Sequence, residues 1–118
     1  RGCRYGRGRK GPTSFDCSGF VYWCINKAGI SQGYMTSYMW RSCTRYQRNN
    51  NINNVKRGDV IVYYGHVAIC SGKWTMIDAS QSNGRIVERS FNSNYWHRNF
   101  IAHSAYSDNI GKAVEQKI

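Results

Sequence analysis

Acidic residues are scarce in this chain. Six Asp and Glu stand against 17 Lys and Arg, which gives a formal charge of +11 over 118 residues. The simplest reading is a solvated basic surface. The sharper one is a polyanionic partner: nucleic acid, acidic lipid or an anionic cell wall. Signatures that would single out nucleic acid are missing. There is no recognition helix, zinc-finger spacing or RNA-binding aromatic motif, and the basic residues are scattered outside "RGCRYGRGRK" (1–10) and "RSCTRYQR" (41–48). Nucleic acid is therefore the minority reading. No apolar run approaches membrane-spanning length. No C-x-x-C occurs, which argues against a zinc ribbon or a thioredoxin-type site, and neither a metal nor another cofactor is expected. Internal repeats and long linkers are also absent. One domain is expected over 1–118, with a basic arm at 1–14 and a polar tail at 107–118. No signal peptide is visible and residue 1 is Arg, so a processed product or an excised domain is expected.

What is present argues for a packed core. Apolar residues make up 41% of the chain and aromatics 14%, too many for a disordered polyelectrolyte. From Asp16 to about Ala28, Cys17, Phe20, Val21, Cys24 and Ala28 recur at helical spacing, and Gly29 follows as a stop. A second helix is expected from Ser37 to about Tyr46, capped by Thr36 or Ser37. "RNNNINN" reads as a loop. Beyond it the period changes. "DVIVYY" (59–64), "HVAIC" (66–70), "WTMIDA" (74–79) and "RIVERS" (85–90) are short and β-branched, with turn residues between them. A last strand is expected at 99–106, and a short helix is possible in the tail. Helices first and strands second predict an α+β fold, with the helices packed on an antiparallel sheet.

Five cysteines cannot all pair within one chain. Cys24 and Cys70 lie in apolar segments and read as buried small hydrophobes. Cys3 and Cys43 stay undecided, and in an oxidising compartment some pair could bond and still leave Cys17 free. Cys17 differs by its position. It sits at the start of the predicted helix, where unpaired N–H groups and the helix dipole favour negative charge. Ser18 and Gly19 are small and leave room for a substrate. A nearby backbone N–H could hold an oxyanion.

A nucleophilic thiol needs a base, and the base needs an orienting partner. Only His66, His97 and His103 are available. His66 opens a strand between Gly65 and the apolar run "VAIC". Asp78 lies inside the apolar strand "WTMIDAS", where a carboxylate is costly without a partner. Neighbouring antiparallel strands would bring the two together. Cys17, His66 and Asp78 then form a thiol triad of nucleophile, base and orienter. Singly, each residue is more simply structural: a packed thiol, a satisfied edge histidine, a turn cap. The case rests on the combination.

The combination resembles a known family. "FDCSGFVYWCINKAG" is similar to the nucleophile helix of the NlpC/P60 cysteine peptidases. "VKRGDVIVYYGHVAIC" is similar to their Gly-Asp strand followed by a His-Val strand. "MIDASQSNGRIVERSF" and "YWHRNFIAHSAY" are similar to the closing strands, and "YGRGRKGPTSFDCSG" to the Tyr-containing segment before the nucleophile. The resemblance covers about Tyr5 to Tyr106. It implies a papain-like α+β core and hydrolysis of amide bonds in bacterial wall peptides, commonly next to D-glutamate. It implies Cys17 as nucleophile, His66 as base and Asp78 in the third polar place. It also implies that Tyr5 lines the site and that Asp16 and Ser18 position the helix start or the substrate. The partner implied is peptidoglycan, with anionic wall polymers as a further attraction. A monomer is expected, secreted to the wall or encoded by a phage or mobile element as a lysin. Two departures stand out. The third position is most often His in that family and is Asp78 here. Arg7 and Arg9 stand where an aromatic residue and a Gly pair are usual. The alternatives are an amidase or thiol acyltransferase on the same triad, or a wall- or nucleic-acid-binding module without turnover.

Overall fold

The computed structural model describes residues 3–11, 14–43 and 47–105. An eight-stranded sheet carries one main helix. In chain order the elements are β1 (Arg4–Tyr5), β2 (Ser14–Phe15), α1 (Cys17–Lys27), α2 (Ser37–Trp40), β3 (Gln47–Asn49), a 3₁₀ turn (Ile52–Asn54), β4 (Val60–Tyr63), β5 (His66–Gly72), β6 (Thr75–Ser80), β7 (Arg85–Ser90), α3 (Asn94–Asn99) and β8 (Phe100–Ala105). The strand order is β2-β1-β7-β6-β5-β4-β8-β3. The run from β4 to β7 is an antiparallel meander, as the sequence pattern predicts.

Strict alternation splits this meander into two faces. Val60, Val62, Val67, Ile69, Ile77, Ala79 and Ile86 point one way and pack with Phe20, Val21, Cys24 and Ile25 of α1. Ile61, Tyr63, Ala68, Cys70 and Met76 point the other way, toward Phe91, Trp74 and Trp96. Both faces of β4 and β5 are covered, which is why these strands read as unbroken apolar runs rather than alternating ones. Each fully buried Val or Ile contributes about 1.5–3 kcal/mol. β4 and β5 meet through the two-residue turn Tyr64–Gly65, with Tyr63 opposite His66. Gly65 takes φ of +69° at the second turn position, where L side chains are strained. This turn puts His66 at the mouth of β5.

Helix α1 is closed at both ends by its own sequence. Asp16 caps the start by accepting from the Gly19 N–H at 2.6 Å. At the other end, Gly29 at φ of +92° lets its N–H reach the Asn26 carbonyl, and the Ile30 N–H reaches that of Ile25. This is a Schellman stop.

Several elements differ from the sequence expectation. The second helix keeps its Thr36 cap but ends at Trp40. Cys43 is buried three residues on, and residues 44–46 of the expected helix lie outside the described residues. Gln47–Asn49 instead pairs with β8, and Ile52–Asn54 is a 3₁₀ turn, so "RNNNINN" is not all loop. The Gly- and Arg-rich leading stretch contributes strands. β1 pairs with β2 and β7, and the Tyr5 N–H bonds to the Gly84 carbonyl at 2.8 Å. Helix α3, with Ser93 as its cap, precedes β8. The expected polar tail lies outside the described residues. No helix among the described residues is long and apolar enough to cross a membrane.

Candidate active site

Cys17 is the first residue of α1, and Asp16 organises the turn around it. The Asp16 carboxylate accepts from the Gly19 N–H through Oδ1 and from the Gly8 N–H at 3.0 Å through Oδ2. The Ser18 hydroxyl lies 3.4 Å from Oδ1 and 2.8 Å from the Tyr34 hydroxyl. Ser18 is buried, so its role here is to tie Tyr34 to the helix start. Tyr5 and Tyr34 both have phenols held above the usual range. Burial is the main cause for each, and the nearby Cys17 and Asp16 add to it. Of the residues singled out in the sequence, Tyr5, Asp16, Cys17 and Ser18 thus share one end of α1.

The other two, His66 and Asp78, come from adjacent strands. His66 Nε2 lies 2.7 Å from Asp78 Oδ2. Burial by itself would lower the imidazole pKa. Hydrogen bonds to Asp78 and to Cys17 outweigh it and raise the pKa to about 9. With Nε2 engaged by Asp78, Nδ1 is the nitrogen left for the thiol. His66 is thus bonded to Asp78, and Cys17 lies near enough to act on the ring's charge. The other histidines are engaged elsewhere: His103 Nδ1 lies 2.9 Å from Asp59 Oδ2, and His97 stacks on Trp74.

Asp78 is fully buried, and a residue absent from the sequence reading holds it. Arg89 donates from Nε to Oδ1 at 3.1 Å and from Nη2 to Oδ2 at 2.5 Å. Such a fork makes a buried carboxylate tolerable and fixes its plane. The signal was legible. Asp78 sits opposite Val87 in the β6–β7 register, so Arg89 is its diagonal neighbour on the same face, within reach of a long side chain. Arg89 also lies 4.8 Å from the Trp96 ring centre, and Trp96 leans on the His66 ring at 5.7 Å. Tyr34 had no such signal, because it comes from the loop before α2.

Cys24 and Cys70 are poorly suited to chemistry. None of the five cysteines is in a disulfide. Burial pushes the Cys24 thiol far up, and that of Cys70 to about 11. The Arg7 and Arg9 side chains are exposed, while the Arg9 backbone carbonyl accepts from the Asp16 N–H at 2.9 Å. That carbonyl explains Gly19. A Cβ there would lie 2.0 Å from Arg9 O and 2.7 Å from Asp16 Oδ1. Gly19→Ala is therefore expected to displace the capping loop. It should lower stability by about 1–3 kcal/mol and reduce activity with it, read by urea unfolding and wall digestion in parallel. Stability within error of wild type would show that the loop yields freely. Among the described residues, no group of three His, Cys, Asp or Glu is placed to hold a metal ion.

Known proteins resemble this chain in sequence and fold. The NlpC/P60 family model matches residues 2–105. The chain is 39% identical over 88 residues to "Probable endopeptidase p60" of Listeria innocua, covering 70% of this chain and 18% of that protein. It is 31% identical over 91 residues to "Peptidoglycan DL-endopeptidase CwlO" of Bacillus licheniformis, covering 73% and 20%. The chain thus spans about a fifth of the length of these relatives. Its fold matches the structure of NlpC2 from Trichomonas vaginalis with a TM-score of 0.78 at 24% identity, over 89% of this chain and 41% of that one. The chain belongs to the NlpC/P60 family.

Proposed function

We propose that the protein is a peptidoglycan endopeptidase of the D,L type that works through the Cys17 thiolate. The observation that carries this reading is the His66–Asp78 pair, bonded at 2.7 Å, with Cys17 acting on the same ring from a capped helix start. The names of the relatives, endopeptidase and peptidoglycan DL-endopeptidase, support the same bond class.

The chemistry follows from the geometry. Protonated His66 stabilises the thiolate of Cys17, and Asp78 stabilises the imidazolium. The thiolate attacks a peptide carbonyl. Unsatisfied N–H groups in the first turn of α1 hold the oxyanion. The C–N bond breaks as His66 gives its proton to the departing amine, leaving a thioester on Cys17. Water, deprotonated by His66, then attacks the thioester, the S–C bond breaks and the acid is released. No step needs a metal. The charge of +11 suits a wall rich in anionic polymers, and that attraction weakens with salt. A monomer secreted to the wall, or delivered to it by a phage or mobile element, fits this activity.

Digestion of purified peptidoglycan tests the proposal, with mass spectrometry of the soluble fragments. New amino termini within the stem peptide are expected, at the bond following D-glutamate, and none with Cys17→Ala. Release of whole stem peptides would make it an amidase. Wall binding without cleavage by either protein would make it a binding module.

A further inference from the structure

A cleft of about 610 Å³ opens beside the His66 ring. Its described lining holds His66 and Arg89 but none of Tyr5, Asp16, Ser18 or Tyr34, which surround the thiol. It therefore opens on the His66 side of the site, apart from the residues around the thiol. We propose that this cleft seats the amine-side half of the cut peptide, the part that leaves when the thioester forms. The proposal rests on the thiol mechanism above.

The order of bond changes dictates the placement. After attack, the carbonyl carbon is bonded to Sγ, so the acyl half stays at the helix start. The nitrogen takes its proton from His66 and must lie against that ring. The chain continuing from this nitrogen then runs past His66, and this cleft is the space on that side.

The walls fit such an occupant. Tyr64 and Tyr95 are 61% and 56% exposed, unusually open for large aromatics, and both face this cleft. The Tyr95 ring stands edge-on to Trp96 with centroids 4.8 Å apart, so the two form a fixed aromatic corner. Gln81 and Ser82 supply neutral polar groups at the rim, suited to peptide N–H and C=O groups. Arg89 is already forked onto Asp78, so it stiffens the wall rather than recruiting an acid by itself.

Two substrates with the same acyl half separate the cleft from the catalytic chain. L-Alanyl-γ-D-glutamyl-L-lysyl-D-alanine has a dipeptide leaving half, while the γ-methyl ester of L-alanyl-D-glutamate releases only methanol. Tyr95→Ala and Tyr64→Ala, made singly, are each expected to lower the peptide-to-ester ratio of kcat/KM about tenfold. An unchanged ratio in both variants, or equal losses on the two substrates, would overturn the assignment. If the wild type turns over neither compound in a Cys17-dependent way, the thiol reading itself falls, and the cleft assignment with it.

Discussion

Cys17→Ala is expected to lower turnover of peptidoglycan by at least about 10⁴-fold while leaving the fold intact. The size follows from what is removed. Without Sγ there is no covalent intermediate, and only binding and oxyanion stabilisation remain to act on a water attack. The fold should survive because the helix start is held by other atoms. Asp16 caps Gly19, and the Asp16 N–H is fixed by the Arg9 carbonyl. Alanine is also a better helix former than cysteine. The free energy of unfolding should stay within about 0.5 kcal/mol of wild type. Cys24→Ala and Cys70→Ala make the comparison sharp. Both side chains are buried, and each loss should cost about 1 kcal/mol of stability while wall digestion persists in the folded fraction. Full activity in Cys17→Ala would sink the thiol mechanism outright.

The sequence was most readable where one local signal sufficed. Helix α1 announced itself by apolar spacing and a stop at Gly29. The meander from β4 to β7 did so by β-branched runs between turn residues. His66 and Asp78 were legible because a polar residue inside an apolar strand needs a partner, and antiparallel neighbours supply one. What escaped depends on pairing across the chain. Arg4–Tyr5 and Gln47–Asn49 are too short and polar to read as strands. They become strands only because β7 and β8 offer open edges. The second helix stops at Trp40 for a related reason. Its first turn has a good cap, but the chain beyond Trp40 is drawn into the core at Cys43 and onto β8. Arg89 could have been found by counting register from the β6–β7 turn. Tyr34 could not, since nothing in a loop sequence says which helix end it will face.

Asp78 carries the other large effect, and it should appear in both rate and pH dependence. Asp78→Asn is expected to cost about 10³- to 10⁴-fold in kcat, because a neutral amide neither stabilises the imidazolium nor enforces the ring orientation. In the wild type, His66 titrates near 9, since its bonds to Asp78 and Cys17 overcome the effect of burial. The leaving amine needs the protonated ring. Activity should therefore persist through neutral pH and fall as pH rises through about 9. Without the Asp78 charge, burial acts against only the Cys17 bond, so the alkaline limb should move down in pH. Stability follows the same sign. A pKa raised from an unfolded value of about 6.5 stabilises the fold fully below that value. The contribution is lost as pH climbs through about 9. Asp78→Ala should remove it and also strand Arg89. The side chain of Arg89 keeps 27% of its surface in water, so its loss of partner costs less than a fully buried charge would. About 3 kcal/mol is expected, the low end for a broken buried pair. A pH–rate profile from pH about 5 to 10, with urea unfolding at the same points, reads both effects. An Asp78→Asn variant with an unmoved alkaline limb would mean that Asp78 holds the strand pair together but does not set the charge on His66.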